Sequence, residues 1–204
     1  ALTSSPAADW PKGSMRSIVE WDTNKPLGEI EQVEHTYAVI GNMNEHQLTV
    51  VESTWGGRPE LVDTTGIIDY GSLMQLALER AKTAREAIKV MTGLVKKYGY
   101  YSSGESFTIA DPNEAWILDL IGKGPGRRGA VWVAVRIPDD CIAGHANYPR
   151  IHKIPMDDKE NCLYSPDVIS FAREMGYFDG LNKDFSFARA YSPADFGALR
   201  ACDA

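Results

Sequence analysis

EAWILDLI, residues 114–121, reads as a strand with apolar side chains on both faces. Trp116, Leu118 and Leu120 fall on one side and Ala115, Ile117 and Ile121 on the other, because successive strand side chains point to opposite faces. A strand of this kind must be covered from both sides. AVWVAVRI, residues 130–137, repeats the pattern through Val131, Val133, Val135 and Ile137. The connection between them, GKGPGRRG (122–129), matches neither a dinucleotide fingerprint nor a phosphate-binding loop. It reads as a flexible hairpin turn with two exposed arginines.

Working outward, Asp111, Pro112 and Asn113 form a turn that joins 114–121 to an earlier strand at 106–110. A further strand is predicted at 142–145. On the N-terminal side, 35–41 and 46–53 read as two strands joined by a polar turn at 42–45. Two helices lie between these groups. Asp69 or Ser72 can cap the first, whose apolar residues are Leu73, Leu76, Ala77 and Ala81. The second opens on a capping box, Thr83 to Glu86, and carries a stripe of Ala84, Ala87, Ile88, Met91, Leu94, Val95 and Tyr98. Gly99 ends it. A third helix is predicted over 166–175, with Ser165 as cap, Pro166 at its first position and Gly176 as stop. Residues 1–30 read as an extended opening segment with one short strand at 15–21, and 31–204 as the core of a single domain. The tail from residue 177 reads as loop. Antiparallel strands, helices, more strands and a helix make an α+β chain with sheet inside and helix outside.

The chain has 204 residues, 44% of them hydrophobic, and a net charge of −7. An acidic surface argues against nucleic acid or an anionic membrane as partner, because both require basic residues. No apolar run is long enough to cross a bilayer. Cys141, Cys162 and Cys202 match no zinc or redox spacing and read as buried free thiols. Cys141 and His145 alone do not make a metal site. The compartment is not encoded, with a secreted or lysosomal setting slightly favoured over a cytoplasmic one.

Two polar clusters at strand ends carry the functional reading, since loops on rigid strands commonly hold functional side chains. One runs from Gly41 to Thr54 and includes Asn44, Glu52, Ser53 and Thr54. The other is residues 144–150, with His145 and Asn147. An asparagine amide can donate to a developing oxyanion. Asn44 can equally serve its own turn, and Asn147 can sit in a plain Asn-Tyr-Pro turn. His145 and His152 are candidate bases, but no Ser or Cys lies in a nucleophile elbow.

Five blocks in order carry a resemblance: GNMNEHQLTVVESTWGGR (41–58), DYGSLMQLALERAKTAREAIKVM (69–91), YYSSGESFTIADPNEAWILDLIGKGPG (100–126), WVAVRIPDDCIAGHANYPRI (132–151) and FSFARAYSPADFGALRACDA (185–204). Together they resemble the dipeptidase family of N-terminal-nucleophile cysteine hydrolases. The resemblance implies a four-layer αββα sandwich and hydrolysis of dipeptides or other small amides without metal or cofactor. It implies a cysteine at the mature N-terminus whose α-amino group acts as base. By position, Asn147 would be the side-chain oxyanion donor and the strand end at Thr54 would supply a backbone donor. Charge suggests that Glu52 binds a substrate amino group, with Ser53 and Asn44 as further substrate contacts. One departure stands out. The chain starts at Ala1, not at Cys-Thr, and none of its cysteines precedes a matching strand. The expectation is an internal piece of a larger hydrolase, incomplete as a sandwich, with the nucleophile on remaining segments of that hydrolase. The alternatives are a non-catalytic binding relative of the same fold and an amidase for other N-acyl amides. A homo-oligomer is compatible with either.

Overall fold

The computed structural model describes residues 4–193. Its strands and helices follow in the order β1 (Ser4–Ser5), β2 (Ala8–Asp9), β3 (Met15–Val19), β4 (Pro26–Glu31), β5 (His35–Thr36), β6 (Val39–Ile40), β7 (Met43–Asn44), β8 (Thr49–Gly56), α1 (Tyr70–Arg80), α2 (Ala84–Tyr98), β9 (Gly104–Ala110), β10 (Ala115–Gly122), β11 (Ala130–Ile137), β12 (Cys162–Tyr164), α3 (Val168–Glu174) and α4 (Phe187–Tyr191). Eight strands form one antiparallel sheet in the order β1-β6-β7-β8-β9-β10-β11-β12. Two small pairs, β2–β5 and β3–β4, stand outside it.

The predicted two-sided burial of 114–121 has a direct cause. Trp116, Leu118 and Leu120 face α1 and α2, with Val50, Phe107 and Ile109 of the neighbouring strands beside them. Ile117 and Ile121 face the other way, toward Val131, Val133, Phe171, Phe187 and Tyr191. Asp111 ties two of these elements together. Its Oδ1 accepts from the N–H groups of Asn113 and Glu114, closing the β9–β10 turn, while Oδ2 accepts from Ala84 N at the start of α2. Thr83 caps α2 as read from the sequence, and Gly99 ends it at φ 81°. Asp69 caps α1 through Ser72 N and also accepts from Trp21 N, which pins the β3–β4 hairpin to the helix.

Several sequence expectations change. The single strand at 35–41 is two short ones, β5 and β6, because β5 pairs with β2 while β6 pairs with β1 and β7. The turn at 42–45 contains the strand β7 itself. The opening segment holds a second strand, β4, paired with β3. Residues 142–145 form no strand. Pro138 follows the end of β11, and β12 occupies the place beside that strand. Ile142 stands free in solvent. The helix at 166–175 is confined to α3, with Asp167 at its cap position, and the Ser165 hydroxyl accepts instead from Trp132 N. The tail is not loop throughout, since α4 buries Phe187, Ala188, Ala190 and Tyr191.

The architecture is α+β, with one large sheet between α1/α2 and α3/α4. The four-layer sandwich is not seen among the described residues, which contain one large sheet rather than two stacked ones. On the side of α3 and α4 the helices cover β10 and β11. At Val51 of β8 the same face lies open, and that side chain is 44% exposed, while Trp55 further along the strand is buried. Ala1 and Cys202 lie outside the described residues.

Tyr191 joins the two helices of this second layer by donating its hydroxyl to Val168 O at 2.5 Å inside the core. Tyr191→Phe leaves that carbonyl without its donor and lowers stability by about 1–2 kcal/mol, read from urea unfolding midpoints.

Candidate active site

The register of three strands sets a polar stripe into an otherwise apolar face. Ser53 of β8 pairs with Ser106 of β9, which pairs with Asp119 of β10. Thr108 lies two residues further along the same face. Asp119 is fully buried, yet all its near partners are donors. Ser106 Oγ donates to Oδ1 at 2.5 Å, and the backbone N–H groups of Arg150 and Ile151 donate to Oδ2 at 3.0 Å each. The stripe thus holds the loop 145–151 down on the sheet. His145 Nε2 and Thr108 Oγ1 are 2.7 Å apart. Asn147 N donates to Ser53 Oγ at 2.8 Å, and Asn147 Nδ2 donates to Thr54 O at 2.5 Å. Asn147 has a positive φ of 50°, a conformation that asparagine tolerates better than most residues.

The far end of the loop is fixed by the last helix. Phe187 N and Ala188 N donate to the carbonyls of His152 and Ile151. Arg58, just past β8, donates from Nε to Ala190 O at 2.7 Å and stacks on Tyr177. Gly57 makes this meeting feasible. Its φ is 77°, and a Cβ there would fall 2.9 Å from Tyr191 O and closer still to the Trp55 ring.

The sequence-predicted residues divide into groups. Asn147, Ser53 and the Thr54 carbonyl converge at one point. The Thr54 carbonyl accepts from the Asn147 amide. Glu52 does not join them, because strand alternation sends it and the Thr54 side chain to the helix side of the sheet, opposite Ser53. Asn44 is 5% exposed and its amide is fully engaged. Nδ2 donates to Leu78 O and Ala81 O at the end of α1, and Oδ1 accepts from His46 N and Leu48 N. That residue locks the β7–β8 turn to α1 and has no free group for a substrate.

Other candidate chemistry is weaker. Burial, with help from the Arg150 charge, holds His145 below its ordinary pKa, so it is neutral at pH 7. Its Nδ1 is buried with no hydrogen-bond partner among the described residues, so none of their carboxylates orients the ring as a triad requires. His152 is also lowered by burial and leans on Ser186. Burial and Asp158 push the Cys162 thiol up to about 11, away from the reactive thiolate. Cys141 is exposed, contrary to the expectation of a buried thiol, and contacts its neighbour Asp140. Among the described residues no three His, Cys, Asp or Glu side chains are grouped to hold a metal ion. None of the described helices is long and apolar enough to span a membrane.

The model of peptidase family C69 matches residues 1–204. The chain belongs to that family. A probable dipeptidase of Salmonella dublin is 31% identical over 192 residues, which cover 89% of this chain and 40% of the relative. A probable dipeptidase of Latilactobacillus sakei is 35% identical over 100 residues, 49% of this chain and 20% of the relative. A probable dipeptidase B of Streptococcus pyogenes serotype M1 is 28% identical over 122 residues, 60% of this chain and 23% of the relative. The chain thus spans less than half the length of these relatives.

Sequence reasoning passed over Asp119 and Ser106 in this C69 chain. The available signal was a carboxylate flanked by apolar residues, Asp119 in ILDLI (117–121), where an unpaired charge is costly and therefore needs partners. Asp119→Ala strips the acceptor from two backbone N–H groups and one hydroxyl. The expected cost is about 3 kcal/mol, with faster hydrogen exchange at Arg150 and Ile151. Burial pushes the Asp119 pKa up to about 6 against those three hydrogen bonds. The native state therefore holds this proton more tightly than the unfolded chain. The resulting stability is complete below pH ~4 and lost as pH rises through about 6. Asp119→Asn should remove that slope from a plot of unfolding free energy against pH.

Proposed function

We propose that this chain supplies the oxyanion side of a cysteine-type amidase that hydrolyses dipeptides. The observation that carries the reading is the contact between the Asn147 amide and the Thr54 carbonyl. An asparagine NH2 group has two hydrogens. One is spent on Thr54, which fixes the plane of the amide. The other remains at an exposed strand end, where a substrate carbonyl can be received. Ser53 holds the backbone of Asn147 and Asp119 holds the loop behind it, so the donor is oriented before substrate arrives. Preorganised donors of this kind stabilise charge that develops in the transition state.

Neither described cysteine suits the role of nucleophile, so in this reading the nucleophile lies on remaining segments of the same hydrolase. In that scheme the thiol of an N-terminal cysteine gives its proton to its own α-amino group and attacks the peptide carbonyl. Negative charge then builds on the carbonyl oxygen beside Asn147. Collapse of the intermediate expels the amine, which takes the proton, and water releases the acyl group. The face left open at Val51 of β8 offers a place for those segments to pack. Family membership and the similarity to probable dipeptidases favour dipeptides over other amides.

In the intact protein that carries this chain, Asn147→Ala should lower kcat for a dipeptide by about 10²–10³ with little change in KM. Steady-state kinetics on a dipeptide panel measure this, and a change under twofold rejects Asn147 as the donor. Iodoacetamide should abolish the activity, and a fully alkylated protein that still cleaves dipeptides rules out a cysteine nucleophile. Faster turnover of N-acylated amines than of any dipeptide would reassign the substrate class.

A further inference from the structure

Thr54 is gripped from both sides of the sheet. On the loop side its carbonyl receives Asn147. On the helix side its hydroxyl donates to Glu105 Oε1 at 2.8 Å and lies 3.5 Å from Glu52 Oε2. Glu105 pairs directly with Thr54 in the β8–β9 register and is 1% exposed. Its second oxygen, Oε2, is buried with no hydrogen-bond partner among the described residues. The titratable groups that act on this region are Glu52 from β8, Asp22 from the β3–β4 connection, Asp69 and Tyr70 from the start of α1, and Tyr100 ahead of β9. Every one is acidic or neutral. Tyr70 already donates its hydroxyl to Asp22, and the buried Tyr100 hydroxyl has no hydrogen-bond partner among the described residues. No ion pair among the described residues brings a cation to Glu105.

A carboxylate in this place would face like charges in a medium of low dielectric with nothing to offset its desolvation. A proton on Oε2 removes the charge and supplies a donor toward Glu52, while Oε1 continues to accept from Thr54. We infer that Glu105 is a neutral carboxylic acid in the working protein and a positioning residue that holds Thr54, and through its carbonyl the Asn147 amide, in place. Burial is the largest cause that lifts its pKa, and Glu52 and Asp22 add to it against the Thr54 hydrogen bond. The sign follows directly. The native state binds this proton more tightly than the unfolded chain does. The grip is complete below the unfolded pKa and is lost as pH rises through the folded one, about 9. The protonation stands on the geometry alone, and its effect on turnover rests on the function proposed above.

Carbon-13 NMR of the intact protein labelled at glutamate carboxyls tests it, with Glu105→Gln to assign the signal. The expected result is a Glu105 carboxyl that stays protonated at pH 7 and ionises near 9. The Asn147 side-chain amide should exchange at least tenfold faster as Glu105 ionises. Glu105→Gln keeps one donor and one acceptor and should hold that exchange rate level across the same range. Glu105→Ala should show the fast rate at every pH. A Glu105 signal that ionises in the ordinary range near pH ~4 overturns the inference. So does Asn147 exchange that is unchanged in Glu105→Ala, or equally pH-dependent in Glu105→Gln. In kinetics, an alkaline fall in kcat present in the native protein and removed by Glu105→Gln, at constant KM, extends the role to turnover. Absence of dipeptide cleavage alongside the expected NMR result would instead reject the function and leave the protonated Glu105 standing.

Discussion

A buried carboxylate is the constraint on which the site depends. Asp119 sits in the middle of a strand that is apolar on both faces, and it is stable there only because three donors converge on it. One is a neighbouring hydroxyl and two are main-chain N–H groups of a loop thirty residues further on. The cost of desolvating the charge is what makes the loop's position non-negotiable. If the loop lifts, the carboxylate loses two partners and the loop loses its acceptor. A surface segment with little regular structure is thereby held nearly as firmly as a strand. Asn147, at the tip of that segment, inherits the rigidity.

The same sheet serves two different purposes on its two faces. Toward α1 and α2 it is almost wholly apolar, and the α2 stripe fills it in the way helical periodicity requires. The exception is the corner at Glu52, Thr54 and Glu105, where acidic groups gather and no ion pair among the described residues brings a cation to Glu105. Toward α3 and α4 it is apolar over β10 and β11 but polar along Ser53, Ser106 and Asp119. Thr54 lies where these two polar regions meet through the sheet. Its side chain belongs to one and its carbonyl to the other, so a change of protonation on the helix side can reach the loop side across a single residue.

The elements legible in the sequence were those governed by local rules. The caps at Asp69 and Thr83, the stop at Gly99 and the Asp111 turn depend on groups within a few residues of one another, and each is present in the structure. The buried strands β10 and β11 were legible because both faces are apolar. The failures share a cause. Residues 142–145 have a strand-like composition, yet β12, twenty residues later, holds the position beside β11. Asn44 sits in a turn that looked available to a ligand, but α1 ends beside it and consumes its amide. Glu52 and Ser53 are adjacent in sequence and were grouped as one contact surface, although strand alternation puts them on opposite sides of a sheet.

Local sequence alone carried α1 and α2 with their caps, the two-sided central strands, the acidic character and the membership of a peptidase family, because these rest on short-range periodicity and ordered blocks of residues. It took the three-dimensional packing to bring Asn147 to Thr54, to anchor the 145–151 loop on Asp119, and to set Glu105 among acids with no ion pair from the described residues. Those facts depend on strand register and on contacts between residues thirty to ninety positions apart. No local pattern encodes them, since each follows from which strand lies beside which and from the cost of leaving a buried polar group without a partner.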